Sequence, residues 1–252
     1  PDVPEKLDLQ GLYRRIWQGS FPKLADDPEM DHDLFYGSYI NTYLERDVRI
    51  LGQVGDLQRF FRFLRAAAAR TGQLLNYSDL ARDADVAVGT AKNYLSILIA
   101  SGLVTLLEPY FANRTKRMTQ TPKLYFLDTG LCAYLTDWSS PETLEVGAMA
   151  GHIFETWCFA EILKSYRNSG KRPAFYFYRD FDQVEIDLVI EQDGVLYPVE
   201  MKKSSDPGRD AAKHFSKLEK FGKKIGMGAV VCMVRESSPL TRECKLIPAA
   251  GL

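Results

Sequence analysis

Hydrophobic positions settle into a helical rhythm after Asp56, where Leu57, Phe60, Phe61 and Leu64 stand at i, i+3, i+4 and i+7 and Ala66 to Ala69 carry the pattern toward Gly72. That spacing predicts an amphipathic helix ended by a glycine, the residue most tolerant of a positive φ. Ser78 can cap a second, short helix through Leu80 and Ala81, and Asp83-Ala84-Asp85 reads as a turn. A third helix is expected from about Val88 to Ser101, with Ala91, Tyr94, Leu95 and Leu98 inside and Lys92, Asn93 and Ser96 outside. Two strands follow, Leu103 to Leu107 and Lys123 to Leu127, around a loop whose tip holds Arg114, Lys116 and Arg117 and no acid. Three helices and a basic-tipped hairpin predict a winged helix over residues 51–135. Lys92 and Asn93 on the third helix, with Arg114, Lys116 and Arg117 on the wing, would be its DNA contacts. The competing reading is a packing adaptor with a solvated basic loop, since this fold also binds proteins.

Before this region, Ile40, Tyr43, Leu44 and Val48 suggest a helix within residues 39–48. Residues 1–50 carry too little apolar surface to fold alone and are expected to pack on something else. After it, residues 136–146, with Pro141 and two serines, read as a linker. The remainder, residues 147–252, runs helix, strand, strand, strand, helix, strand, which predicts a mostly buried sheet flanked by helices. Its first helix, from about Gly147 to Asn168, sets Cys158, Phe159, Ile162 and Tyr166 on an apolar arc, with Glu155 in the middle. A carboxylate on such a face demands compensation. A metal, a cation or a cleft could supply it, or an ion pair with an arginine such as Arg179. A charged helix is expected from about Arg209 to Phe221, then an apolar strand from Gly228 to Val234.

Between these lies a hairpin, Val184 to Lys202, turned by Asp193-Gly194, a pair suited to the positive φ angles of a two-residue turn. With that turn, paired residue numbers sum to 387, so Asp187 faces Glu200 and Glu185 faces Lys202. Strict alternation puts these four on one face and Ile186, Leu188 and Ile190 on the other. Carboxylates directly opposed across a strand pair, with Cβ atoms roughly 4.5–5.5 Å apart, are destabilising without a cation between them. The expected cation is Mg²⁺ or Mn²⁺, held by Asp187 and Glu200 as hard oxygen ligands. Lys202 would polarise a water and Glu155 would add a ligand or accept a proton.

Composition narrows the partners. The 252 residues carry 32 basic and 33 acidic side chains, a net charge of −1, unevenly spread. Residues 1–50 hold 6 basic and 10 acidic groups, whereas residues 51–135 hold 10 and 6. The modest excess in the middle third permits nucleic-acid contact without requiring it. Four cysteines without CxxC spacing and only three histidines disfavour structural zinc and suit a reduced, cytoplasmic protein. No apolar stretch is long enough for a membrane partner. Lys213, Lys217, Lys220, Lys223 and Lys224 form a run that could follow a phosphate backbone or be a solvated helix face.

The order Glu155 on a helix, then Asp187, then Glu200-Met201-Lys202 resembles the PD-(D/E)XK restriction-endonuclease-like superfamily, with Ile186 where proline is usual. The whole chain is similar to the C-terminal half of a bacterial and archaeal family of P-loop ATPases with an AAA-type module. Gly19-Ser20-Phe21-Pro22, Tyr43-Leu44-Glu45-Arg46-Asp47, Lys123 to Leu131, Gly151 to Glu155 and Val199 to Lys202 carry that likeness. The implied fold is α/β (α+β): a winged-helix domain followed by a restriction-endonuclease-like domain with a mixed central sheet. The implied activity is metal-dependent cleavage of DNA, with Glu155, Asp187, Glu200 and Lys202 catalytic. The alternative is an inactive nuclease fold serving as a DNA-binding or protein adaptor. No G-x-x-x-x-G-K-[ST] occurs, so ATP would bind only a module upstream of Pro1, with residues 1–50 as its connector.

Overall fold

A computed structural model describes residues 9–27, 29–44, 46, 55–111 and 121–252. The architecture is mixed α+β, with a largely helical N-terminal region and a C-terminal region built on a mixed sheet. Two compact units result, one of Tyr13–Leu106 with Lys123–Met149, the other of Ala150–Leu252 with residues 9–12, 107–111 and 121–122, so the first turn of the opening helix falls outside the helical unit.

The helical unit opens with α1 (Leu9–Gln18), α2 (Pro22–Asp26) and α3 (His32–Tyr39), the last continued by a π-helical turn, Ile40–Leu44. Next come α4 (Leu57–Ala68), the short strand β1 (Gln73–Leu74), α5 (Tyr77–Ala84) and α6 (Val88–Ala100). Strands β2 (Val104–Leu107) and β3 (Lys123–Phe126) form a three-stranded sheet with β1 in the order β1-β3-β2. Helices α7 (Thr129–Leu135) and α8 (Pro141–Val146) complete the unit. The expected trio of helices followed by two strands is present; of the predicted α4 row, Phe60 and Leu64 are buried while Leu57 and Phe61 are half-buried and Phe63 is buried instead, and Leu80 from α5 and Tyr94, Leu95 and Leu98 from α6 are buried. The cap of α5 differs from expectation. Asn76, not Ser78, accepts the amides of Ser78 and Asp79, so the helix starts earlier; a two-atom arm to its amide oxygen lets asparagine reach both donors. Arg114, Lys116 and Arg117 lie outside the described residues, as do residues 45, 47 and 48 of the expected 39–48 helix.

Residues 1–50 were expected to pack elsewhere, and the described part does so. Asp128, the N-cap of α7, accepts Leu131 N and the Tyr36 hydroxyl on Oδ1, each at 2.7 Å, and Ser20 N on Oδ2 at 2.7 Å. Burial first, and then the Asp128 charge, push the Tyr36 phenol far above its ordinary range. Gly130 is obligatory here, since a Cβ on it would stand 2.2 Å from that hydroxyl and 2.5 Å from Gln18 O.

The C-terminal unit begins with α9 (Ala150–Asn168), which packs on its sheet. The sheet contains β4 (Ala174–Arg179), β5 (Glu185–Gln192), β6 (Val195–Lys202), β7 (Lys224–Ile225), β8 (Gly228–Cys232), β9 (Ser238–Thr241) and β10 (Cys244–Pro248). Its order is β4-β5-β6-β8-β10-β9, with β7 alongside the start of β6. Pairs β6–β8 and β8–β10 are parallel, while β4–β5, β5–β6 and β9–β10 are antiparallel. Tyr178, Ile186, Val189, Leu196, Phe215 and Val230 belong to one buried cluster on this sheet.

The expected helix over residues 209–221 is instead two 3₁₀ segments, Arg209–Ala212 and Phe215–Phe221. The reason is legible in the spacing: Ala212, Phe215, Leu218 and Phe221 are each three apart and all pack against the cluster. Three residues per turn keep them in line, whereas an α-helix would rotate each step by about 60° and turn Phe221 away.

Candidate functional site

Asp193 and Gly194 take φ of 52° and 76°, the left-handed pair a tight hairpin needs. The ladder from Gln192↔Val195 to Leu188↔Val199 keeps the sum 387 throughout. It stops one step short of Asp187 and Glu200, because β5 carries an extra residue against β4: Tyr176 pairs with Val189, but Tyr178 pairs with Ile186. The resulting β-bulge breaks strict alternation, so Ile186 and Val189 share the core cluster, rather than Ile186 with Leu188 and Ile190. Bulges re-aim side chains. Here the Asp187 carboxylate turns to accept Met201 N at 2.8 Å.

Lys202 closes the cluster. Its Nζ lies 2.6 Å from Glu200 Oε2 and 3.6 Å from Asp187 Oδ2. The Glu200 and Asp187 side chains are only 4% and 10% exposed, against 44% for Lys202. Burial and then the neighbouring Asp187 charge push Glu200 up to about 9, with Lys202 opposing them. Burial alone would lower Lys202, but Asp187 and Glu200, joined by Glu155, hold its ammonium above the ordinary lysine range. Burial thus favours a proton on Glu200, while the neighbouring acids keep Lys202 as an ammonium.

Glu155, on α9, is half-buried between the buried Phe154 and Thr156. Its charge is felt at Lys202 and at the Cys158 thiol, which burial pushes well up. Glu185 does not face Lys202 as expected. Arg179, its partner across β4–β5, holds it at 2.8 Å. That leaves Arg179 engaged with Glu185 and Gln183.

The expected Mg²⁺ or Mn²⁺ site is overturned. Among the described residues no group of three or more His, Cys, Asp or Glu side chains could hold a metal ion. Asp187 and Glu200 offer two carboxylates, Glu155 does not complete a set with them, and the Lys202 ammonium occupies the cation's electrostatic role. A hard divalent ion needs several oxygen ligands, more than these two carboxyl groups supply.

In the helical unit, Lys92, Asn93 and Ser96 are exposed on α6, as their spacing predicts, and Lys92 Nζ lies 5.5 Å from the Tyr77 ring centroid. Neighbouring arginines are tied to aspartates: Arg59 and Arg62 to Asp85, Arg70 to Asp83, and Arg82 to Asp79. The lysine run divides in the C-terminal unit. Lys220 donates to the Tyr178 hydroxyl at 2.7 Å and Lys217 lies 3.9 Å from Asp180, while Lys213, Lys223 and Lys224 line a separate cleft. That cleft escaped the sequence reading, because the turn between β9 and β10 that closes it was not anticipated. No helix among the described residues is long and apolar enough to cross a membrane.

Two family models match the chain: "Domain of unknown function (DUF8612)" over residues 9–142 and "Domain of unknown function (DUF4143)" over residues 150–252. The proteins called "Uncharacterized protein Rv2008c" from Mycobacterium tuberculosis and "Uncharacterized protein Mb2031c" from Mycobacterium bovis are each 32% identical over 195 residues, covering 77% of this chain and 43% of theirs. The chain thus spans less than half the length of the curated relatives it matches. No solved structure matches it.

Proposed function

The chain belongs to the family described as a domain of unknown function, DUF8612, and from that premise we propose that it is a non-catalytic DNA-binding adaptor. In this reading the helical unit is a winged helix that presents α6 to the duplex. The C-terminal unit is a restriction-endonuclease-like fold kept as a scaffold. One observation carries the proposal: Lys202 Nζ, 2.6 Å from Glu200 and 3.6 Å from Asp187, supplies the cation the two acids require. In this reading the lysine, engaged by both acids, ties the hairpin together and is not left to polarise a water. Support for DNA as the partner comes from the exposed Lys92, Asn93 and Ser96 on one helix face. The partner that such an adaptor would serve is an ATPase module, a reading supported only by the motif likeness to the C-terminal half of P-loop ATPases.

Plasmid incubation and duplex-binding titrations, run with and without Mg²⁺ or Mn²⁺, test this. The expected result is salt-sensitive duplex binding, weakened by Lys92→Ala, and no nicking with either metal. Nicking that needs a divalent ion and disappears in Asp187→Ala would overturn the proposal. Undetectable binding at low salt would favour a protein-interaction role, which the arginine–aspartate pairs of α4 and α5 also suit.

A further inference from the structure

The C-terminal unit holds a second concave site, of about 790 Å³, to which Asp187, Glu200 and Lys202 contribute nothing. It lies among the β6–β7 edge, the two 3₁₀ segments and the β9–β10 turn. That volume is in the usual range for small-molecule sites, roughly 300–1,000 Å³. Its charge sets it apart from the helical unit. Lys223 is paired with Glu191, but Arg209, Lys213, Lys224 and Arg242 make no ion pair among the described residues. Four unneutralised cations, drawn from three separate stretches of chain, converge on one cleft. A low-dielectric wall beside them focuses their field on an incoming anion.

The wall is apolar and fixed. Of the two aromatic residues at the cleft, Tyr197 is half-buried and Phe215 belongs to the buried core cluster, and each ring is pressed by a glycine backbone. A Cβ on Gly226 would stand 2.3 Å from the Tyr197 ring, and one on Gly228 would stand 2.6 Å from the Phe215 ring. Neither ring can collapse toward those strands without expelling backbone, so the aromatic surface is preformed. Met227, 47% exposed, adds a polarisable lip. Two carboxylates, Glu219 and Glu243, also line the cleft. They oppose a continuous phosphate backbone but suit hydroxyl or amine donors on a compact ligand.

We propose that this cleft binds a mononucleotide, with its phosphates on the unpaired cations, its planar base against the half-buried Tyr197 ring, and its donor groups on Glu219 or Glu243. The site is independent of the adaptor reading, because it uses neither α6 nor the Asp187 cluster.

Calorimetric titration of the whole chain tests it, with ATP, ADP, adenosine, inorganic pyrophosphate and a short single-stranded oligonucleotide as separate probes. The expected order is ATP, then ADP, with adenosine and pyrophosphate each at least about tenfold weaker than ADP, since each lacks half of the recognised chemistry. K213E combined with R242E is expected to weaken ATP at least about tenfold, and the milder K213Q with R242Q to weaken it less, both with an unchanged circular-dichroism spectrum. Lys92→Ala is expected to leave ATP affinity unchanged. The proposal fails if ATP does not bind, if pyrophosphate binds as tightly as ADP, if the oligonucleotide binds more tightly than ATP, or if both charge variants bind ATP like the parent.

Discussion

The helical unit and the hairpin of the C-terminal unit handle charge in opposite ways. Around α4 and α5 the ion pairs keep contact with water: the Arg62 and Asp85 side chains are 51% and 71% exposed, and even Arg70 and Asp83 keep 25% and 34%. In the hairpin, two carboxyl groups are almost wholly buried and share one lysine and one proton. Surface pairs are screened, and their partners regain water when separated, so each contributes at most about 1 kcal/mol. Buried groups have no water to return to, so removing one member strands the rest. Stability and pH response should therefore reside in the hairpin, while the surface charges of the helical unit govern association.

Among single substitutions the largest effect is predicted for Asp187→Ala. It removes both the counter-charge of Lys202 and the acceptor of Met201 N, and a loss of about 3 kcal/mol is expected in urea unfolding. A loss near zero would place the cluster among the surface pairs. Next comes pH. Glu200 is held up to about 9 in the folded protein, far above an unfolded glutamate, so the folded state retains a proton that the unfolded chain releases. The stability this confers is full below the unfolded value and is lost as pH rises toward 9. The expected slope is up to ~1.4 kcal/mol per pH unit between about 5 and 9. Glu200→Gln, which mimics the protonated acid, should flatten that profile and be the more stable protein at pH 8–9, as read from unfolding midpoints.

Gly130→Ala should rank close behind, at about 1–3 kcal/mol, because its methyl would collide with the Tyr36 hydroxyl and the Gln18 carbonyl. Arg62→Ala should cost less than about 1 kcal/mol, and still less at high salt. Lys92→Ala should leave unfolding unchanged and act only on DNA, reducing the slope of log affinity against log salt by about 1. A stability loss there would mean that its contact with the Tyr77 ring is structural.

Legibility followed the range of the interactions. The Asp193-Gly194 turn and its register were readable because turn chemistry is local and both φ angles are left-handed. Buried faces of α4 and α6 were readable for the same reason, being set by spacing within one helix. The bulge was not, because it depends on how β5 meets β4, a strand that contributes no motif of its own. Without the bulge, Asp187 reads as a free ligand; with it, the carboxylate is turned onto Met201 N. Lys202 was placed correctly along β6, but a period of two cannot say that a flexible lysine folds back onto Glu200, two residues earlier. The 3₁₀ segment was encoded in the i, i+3 recurrence from Ala212 to Phe221, which a search for α-helical spacing passes over. The Asp128 junction joins residues 108 positions apart, so only its capping role toward Leu131 was within local reach.

The claim on which the account turns is that Lys202 and a retained proton already balance Asp187 and Glu200. Calorimetric titration of the chain with Mn²⁺ at neutral pH, beside Glu200→Gln, tests it most directly. No stoichiometric binding to the parent protein is expected, and the same trace for the variant. One-site Mn²⁺ binding in the parent that disappears in Glu200→Gln would contradict it.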